Sequence, residues 1–367
     1  MTDPRVSKLA DILVNYSTTV KKGDWVLILA NPVAEPLVDE LVAHSLRAGG
    51  NPTVMLGSDR TTATFLREAN DEQLTWISPF TEWIYTRTDV LISISSSTNT
   101  KSLSSVDPEK QARRHKAMSP IIQTYMKRAA SKELKWVISQ YPTEALAQEA
   151  EMGIAEFEDF VYQATFADKD DPVKEWSKVH KEQQRLVDWL KGKKKVEVKG
   201  KYADLSLSIE GRNFINSSGE NNMPSGEIFT SPIEDSTNGW VEFTYPAITG
   251  GREVEGIRLE FKDGKVVKES AEKNEEYLKR QLDLDEGARY LGEFAIGTNY
   301  GIDRFTKSIL YDEKIGGSFH MAIGGGFEEI GGKNKSAVHW DMICDAREDT
   351  EIHVDGELLY KNGKFQV

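Results

Sequence analysis

Cysteine is nearly absent from the chain: Cys344 is the only one in 367 residues. An intramolecular disulfide is therefore impossible, and a zinc site built on several thiolates is excluded. Long hydrophobic runs are missing too. No stretch approaches the roughly 18 consecutive apolar residues of a membrane-spanning helix. The opening segment MTDPRVSKLADILVNYS has no uninterrupted apolar core, and its Val6, Leu9, Leu13 and Val14 fall at helical spacing. Neither a signal peptide nor a membrane anchor is expected, and a cytoplasmic protein is. Positive charge is in short supply, with 46 Lys and Arg against 59 Asp and Glu, a formal charge of −13. That balance argues against nucleic acid or an anionic membrane surface as partner. Finally, no G-x-G-x-x-G or Walker-type loop follows the first predicted strand, which leaves a nucleotide site without support.

The length predicts two domains. In the first half, helix and strand patterns alternate. Trp25–Ala30, Pro52–Leu56, Val90–Ser95 and Leu134–Ser139 read as short apolar strands, and residues 35–48 as a helix ending at Gly49-Gly50. Such alternation implies a parallel α/β sheet of Rossmann-like type. A long polar helix over about 171–191 follows. Beyond it the apolar period changes to two, as in Ala203-Asp-Leu-Ser-Leu-Ser-Ile209, and glycine-rich turns separate the segments. The fold class expected is α/β: an N-terminal Rossmann-like domain over 1–190, followed by a strand-rich α+β domain over 191–367.

Six histidines are available for chemistry. His44, His115 and His180 lie in polar or helical surroundings and read as surface residues, and His353 sits before the Asp355-Gly356 turn signal. His339 differs. Ala337–Cys344 has strand composition, and alternation puts His339 and Asp341 on one face, with Val338, Trp340, Met342 and Cys344 on the other. An imidazole and a carboxylate on one strand face suit a metal ion, although a hydrogen-bonded surface pair fits equally well. Glu227 and Glu293 each open an otherwise apolar strand. A carboxylate there is costly unless it is paired, metal-bound or at a solvated strand end. His320 lies in a glycine-rich strand, where a core imidazole bonded to a carbonyl is the alternative to a ligand. Glu220, in the turn-rich run before Glu227, is a further candidate.

Four segments carry a more specific signal together. N-N-M-P-S-G-E-I-F-T-S-P (221–232), L-G-E-F-A-I-G (291–297), D-E-K-I-G-G-S-F-H-M-A-I-G (312–324) and H-W-D-M (339–342) resemble the thermophilic metalloaminopeptidase family of the aminopeptidase T and S type. The order of the segments and the 66-residue step from Glu227 to Glu293 fit as well. The resemblance implies two divalent ions (zinc, cobalt or manganese) held by Glu227, Glu293, His320, His339 and Asp341, with Glu227 and Glu293 also catalytic. It implies removal of N-terminal residues from peptides by a hydroxide that the ions activate. It further implies a homodimer, with the N-terminal domain shaping the cavity and the dimer.

One position departs from the family pattern. The motif H-x-A-x-G-x-x-Y, counted from His320, ends here in Phe327. Phenylalanine has no hydroxyl to donate to a developing oxyanion. Tyr311, Tyr300 and His353 are the candidate replacements. Two other functions stay open at this stage: a metallohydrolase acting on a non-peptide amide, and a metal-binding scaffold with weakened catalysis.

Overall fold

The computed structural model describes residues 3–367, which divide into two compact units. The first comprises the chain up to Glu175 together with Gly219–Pro224, and the second Trp176–Ser218 and Ser225–Val367. The division falls inside the helix Pro172–Leu190, whose C-terminal end is where the sequence pattern changes.

The first unit is the expected parallel sheet. Its strands run in the order Asn51–Leu56, Trp25–Ala30, Val90–Ser95, Lys135–Gln140, all parallel, with helices such as Glu35–Arg47 and Pro108–Ala130 as crossovers. The two inner strands are apolar almost throughout because both of their faces are covered, as burial on both sides of a parallel sheet requires. A fifth strand was not legible in the sequence. Asn222–Met223, from the segment read as turns, adds in parallel to Lys135–Gln140. The Ile138 N–H donates to the Asn221 carbonyl at 2.8 Å, and Met223 is fully buried.

The second unit has two large antiparallel sheets sharing one core, and a two-stranded ribbon of Ala247–Thr249 and Arg252–Val254. The larger has eight strands, among them Lys195–Gly200, Ala203–Ser208, Asn238–Glu242 and Thr350–Val354. The smaller runs His339–Asp345, Ser318–Gly324, Leu291–Gly297, Glu227–Thr230, Ile215–Ser217. One of its faces packs Ile228, Phe294, Ile296, Phe319, Met321, Trp340, Met342 and Cys344 into the shared core. Its opposite face carries the chemistry. Among the described residues, no helix is long and apolar enough to cross a membrane.

Candidate metal centre

Strand register puts the acidic and imidazole side chains in rows on one sheet face. Glu293, Ala322 and Asp341 are neighbours across three strands, and Phe229, Ala295, His320 and Ile343 form the next row. Glu227 sits opposite Gly297, and His339 opposite Gly324. Alanine and glycine stand between large groups in these rows, which lets the polar side chains of neighbouring strands meet above them.

Two local devices aim the glutamates. Leu291 faces the core opposite Ile323, so a regular strand would turn Glu293 into the core as well. A β-bulge at Gly292 shifts the register by one, and Glu293 pairs instead with Ala322 on the polar face. A Cβ at Gly292 would lie 2.1 Å from the Gly325 carbonyl oxygen, so only glycine fits there. Glu227 follows Gly226, which has φ +119° and lies against Asn299 so closely that a Cβ would come within 2.7 Å. Buried Gln183 fixes this strand end by donating to the carbonyls of Ser217 and Glu227.

All five residues singled out in the sequence converge. His320 Nε2 is 3.3 Å from Glu227 Oε2 and 3.7 Å from Glu293 Oε1. His339 Nε2 is 3.2 Å from Glu293 Oε2 and 3.6 Å from Asp341 Oδ1. Glu293 thus turns one oxygen toward each histidine. Ligand atoms within 4.8 Å of one another form three overlapping triads: Glu227–Glu293–His320, Glu293–His339–Asp341 and Glu313–His320–Asp341. Glu220 is exposed and belongs to none of them.

Sequence reasoning missed two members. Glu313 enters the third triad, and Lys314 beside it has no exposed side-chain surface. The Lys314 ammonium pairs with Glu313 and lies 3.7 Å from Glu227 Oε1. Burial alone would lower its pKa, but Glu313 and Glu227 outweigh burial and hold it charged. The only early signal was that Glu313-Lys314 lies within the motif leading to His320.

The electrostatics are those of a site with more negative charge than its own cations balance. Burial raises the Glu227 carboxyl above its ordinary range. Burial and then the Glu293 charge raise Asp341. Burial also works to raise Glu293, but hydrogen bonds from both histidines overcome it and hold that group low. Burial opposes charge on the histidines, yet their carboxylate partners push His320 up to about 9 and His339 up to about 10. Protons occupy positions that a metal ion competes for. The donor set fits divalent cations on two further counts. Glu227 Oε2, Asp341 Oδ1 and His320 Nδ1 are buried without a hydrogen bond among the described residues. His339 Nδ1 lies 2.8 Å from the Gly325 carbonyl and donates to it, which directs the Nε2 lone pair into the cluster as a metal-ligating imidazole needs.

Phe327 lies at the edge of this group. Its ring is 5.2 Å from the His339 ring, edge-on, and 5.2 Å from that of Phe229. The candidate replacements for a tyrosine hydroxyl differ in position. Tyr300 donates its hydroxyl to the Gly363 carbonyl, and His353 lies in the eight-stranded sheet 3.0 Å from Glu351. Tyr311 is fully buried, one residue before Asp312 and two before Glu313.

Residues 2–365 match the model of a family described as thermophilic metalloprotease (M29). Aminopeptidase AmpS of Bacillus subtilis is 26% identical, over 98% of this chain and 98% of its own. Aminopeptidase T of Thermus thermophilus is 27% identical, over 98% of this chain and 95% of its own. The solved structure of wild-type AmpT from Thermus thermophilus superposes with a TM-score of 0.88 at 25% identity, covering 99% of each chain.

Proposed function

The chain belongs to the thermophilic metalloprotease (M29) family, and we propose that it is an aminopeptidase that removes N-terminal residues from peptides with two divalent ions. The observation that carries this reading is the set of overlapping triads on one sheet face, in which Glu293 offers an oxygen to each of two histidines. Glu293, with an oxygen toward each histidine, would serve both ions; Glu227, His320 and Glu313 would hold one with it, and His339 and Asp341 the other. Carboxylates and imidazoles without thiolate suit zinc, cobalt or manganese.

The bound ions supply Lewis acidity and lower the pKa of water toward ~7. The chain's own residues set the charge. Glu227, Glu293, Asp341 and Glu313 contribute −4 and Lys314 +1, so two divalent ions and one hydroxide make the site neutral. Glu227 and Glu293 are assigned the relay of the attacking water's proton to the leaving amine, so that neither carboxylate keeps it and the charge count holds. The free α-amine of the substrate is held within the ligand cluster, which makes the enzyme an exopeptidase. We assign the first unit the shaping of the cavity and of a homodimer, and the cytoplasm as the location.

Turnover of matched free and N-acetylated peptides by metal-loaded protein tests the reading. Free peptides are expected to be consumed and blocked ones left intact. Equal hydrolysis of both would identify a different amide hydrolase. Full metal content without turnover of any peptide would leave a metal-binding scaffold.

A further inference from the structure

A small pocket opens beside Asp341, and we propose that it is the subsite for the side chain of the substrate's N-terminal residue, selecting medium-sized apolar residues. The assignment rests on the aminopeptidase reading and adds a substrate class to it. The pocket has a volume of about 140 Å³ and is bounded by three segments: Pro246–Ile248, residues 305–312, and the strand carrying Asp341 and Ile343. Each wall is fixed. Ile343 stands two residues beyond Asp341 on the same sheet face and opposite His320. The Ile343 carbonyl accepts the N–H groups of Thr244 and Tyr245 at 3.2 and 3.4 Å, which brings Pro246–Ile248 alongside. Buried Asp312 accepts from the Thr306 N–H at 2.7 Å and from its hydroxyl at 2.8 Å, bracing the loop that carries Phe305 and Ile309.

Hydrocarbon makes up the larger part of the lining, beside the carboxylates of Asp341 and Asp312. Ala247, Ile248, Phe305, Ile309 and Ile343 supply hydrocarbon, while Asp312 is turned to Thr306 and the Lys307 ammonium to Glu253 at 3.4 Å. Ile248 and Ile309 are 36% and 49% exposed, so apolar surface continues to the mouth. An apolar cavity of about 150 Å³ takes up benzene. This pocket accordingly admits a leucine, methionine or phenylalanine side chain and excludes an indole. Position ties it to the N-terminal residue. That side chain hangs from the same carbon as the α-amine, so its pocket must share a wall with the ligand cluster, and Asp341 is such a wall.

The test uses full-length, metal-loaded protein and two dipeptide series, X-Ala and Ala-X, with X as Ala, Leu, Phe, Trp, Lys and Asp. In X-Ala, Leu and Phe are expected to exceed Ala in kcat/KM by about tenfold or more, as apolar pockets discriminate, with Trp, Lys and Asp below Ala. Ile343→Ala is expected to raise the Trp-to-Leu ratio about tenfold. Ile309→Asp, at an exposed position that threatens folding least, is expected to lower the Leu-to-Ala ratio by a similar factor at unchanged metal content. Turnover with both ratios unchanged would overturn the subsite while leaving the aminopeptidase standing. Ratio shifts that follow X in Ala-X would overturn it in favour of a leaving-side pocket. No turnover of any dipeptide at full metal content would overturn the aminopeptidase and the subsite together.

Discussion

Lys314 and Glu227 form a buried ion pair within the carboxylate–histidine cluster, Nζ to Oε1 at 3.7 Å, with no lysine side-chain surface exposed. The ammonium also contacts Glu313, so it is shared between two candidate ligands. Removing one partner of a buried charge cluster leaves the other uncompensated, which costs about 3–5 kcal/mol. Lys314→Met is therefore expected to destabilise the metal-free protein by that order. Adding Glu313→Gln restores the charge count and is expected to recover a large part of the stability. Denaturant unfolding in chelator, run as a double-mutant cycle, measures both. Additive losses would mean that the two side chains do not interact.

The bulge at Gly292 gives a second expectation. Its Cβ position lies 2.1 Å from the Gly325 carbonyl oxygen, so Gly292→Ala forces the backbone to move. Overpacking of this kind costs about 1–3 kcal/mol, but the larger consequence is directional. Loss of the bulge turns Glu293 toward the core face. A folded Gly292→Ala protein is expected to lose both ions, as Glu293→Gln should, whereas His339→Ala should lose one. Metal content by elemental analysis reads the difference. Full occupancy in Gly292→Ala would show that the bulge does not aim Glu293.

How much of this was legible in the sequence follows from the same residues. His339 and Asp341 were readable because Val338, Trp340, Met342 and Cys344 alternate with them, and alternation is the property of strands that a sequence shows best. The four parallel strands of the first unit were readable as apolar runs. Glu293 was readable as a residue type but not as a direction, because a bulge changes which face a side chain takes without changing composition. Glu313 and Lys314 were hidden by base rates, since lysine and glutamate in a short polar stretch usually lie in solvent. Asn222–Met223 was too short and turn-rich to suggest a strand. Long-range pairing made it one.

The histidines predict a pH dependence. In the metal-free protein His320 and His339 are raised from 6.5 to about 9 and about 10. A raised histidine stabilises the fold fully below its unfolded value of 6.5, and that contribution is lost as pH rises through 9 and 10. In chelator, the melting temperature is therefore expected to fall between pH 6.5 and 10. Metal-loaded protein should not follow, because the ions replace these protons. Loading at pH 7 should release about two protons from the histidines, and apparent affinity should rise with pH up to about 9 to 10. Titration calorimetry in buffers of different ionisation enthalpy counts the protons. A count near zero would mean that the histidines are not ligands.

Phe327 supplies the last prediction. Its ring packs edge-on to His339 and against Phe229, and its N–H donates to the Ser231 hydroxyl at 2.9 Å. The ring's position is therefore set by contacts that a para-hydroxyl leaves intact. The motif that the sequence resembles implies a tyrosine hydroxyl here, and loss of one oxyanion donor elsewhere costs about 10²–10³ in rate. On the proposed mechanism metal Lewis acidity does not depend on that group, so water activation is expected to persist without this donor. Phe327→Tyr is expected to raise kcat by up to about 10²-fold on an N-terminal leucyl peptide, with KM and metal content little changed. A hydroxyl acting on the transition state alone moves kcat, whereas one that binds substrate uniformly moves KM. An unchanged or lower kcat at full metal occupancy would show that the missing hydroxyl does not limit this enzyme and that another group takes its role.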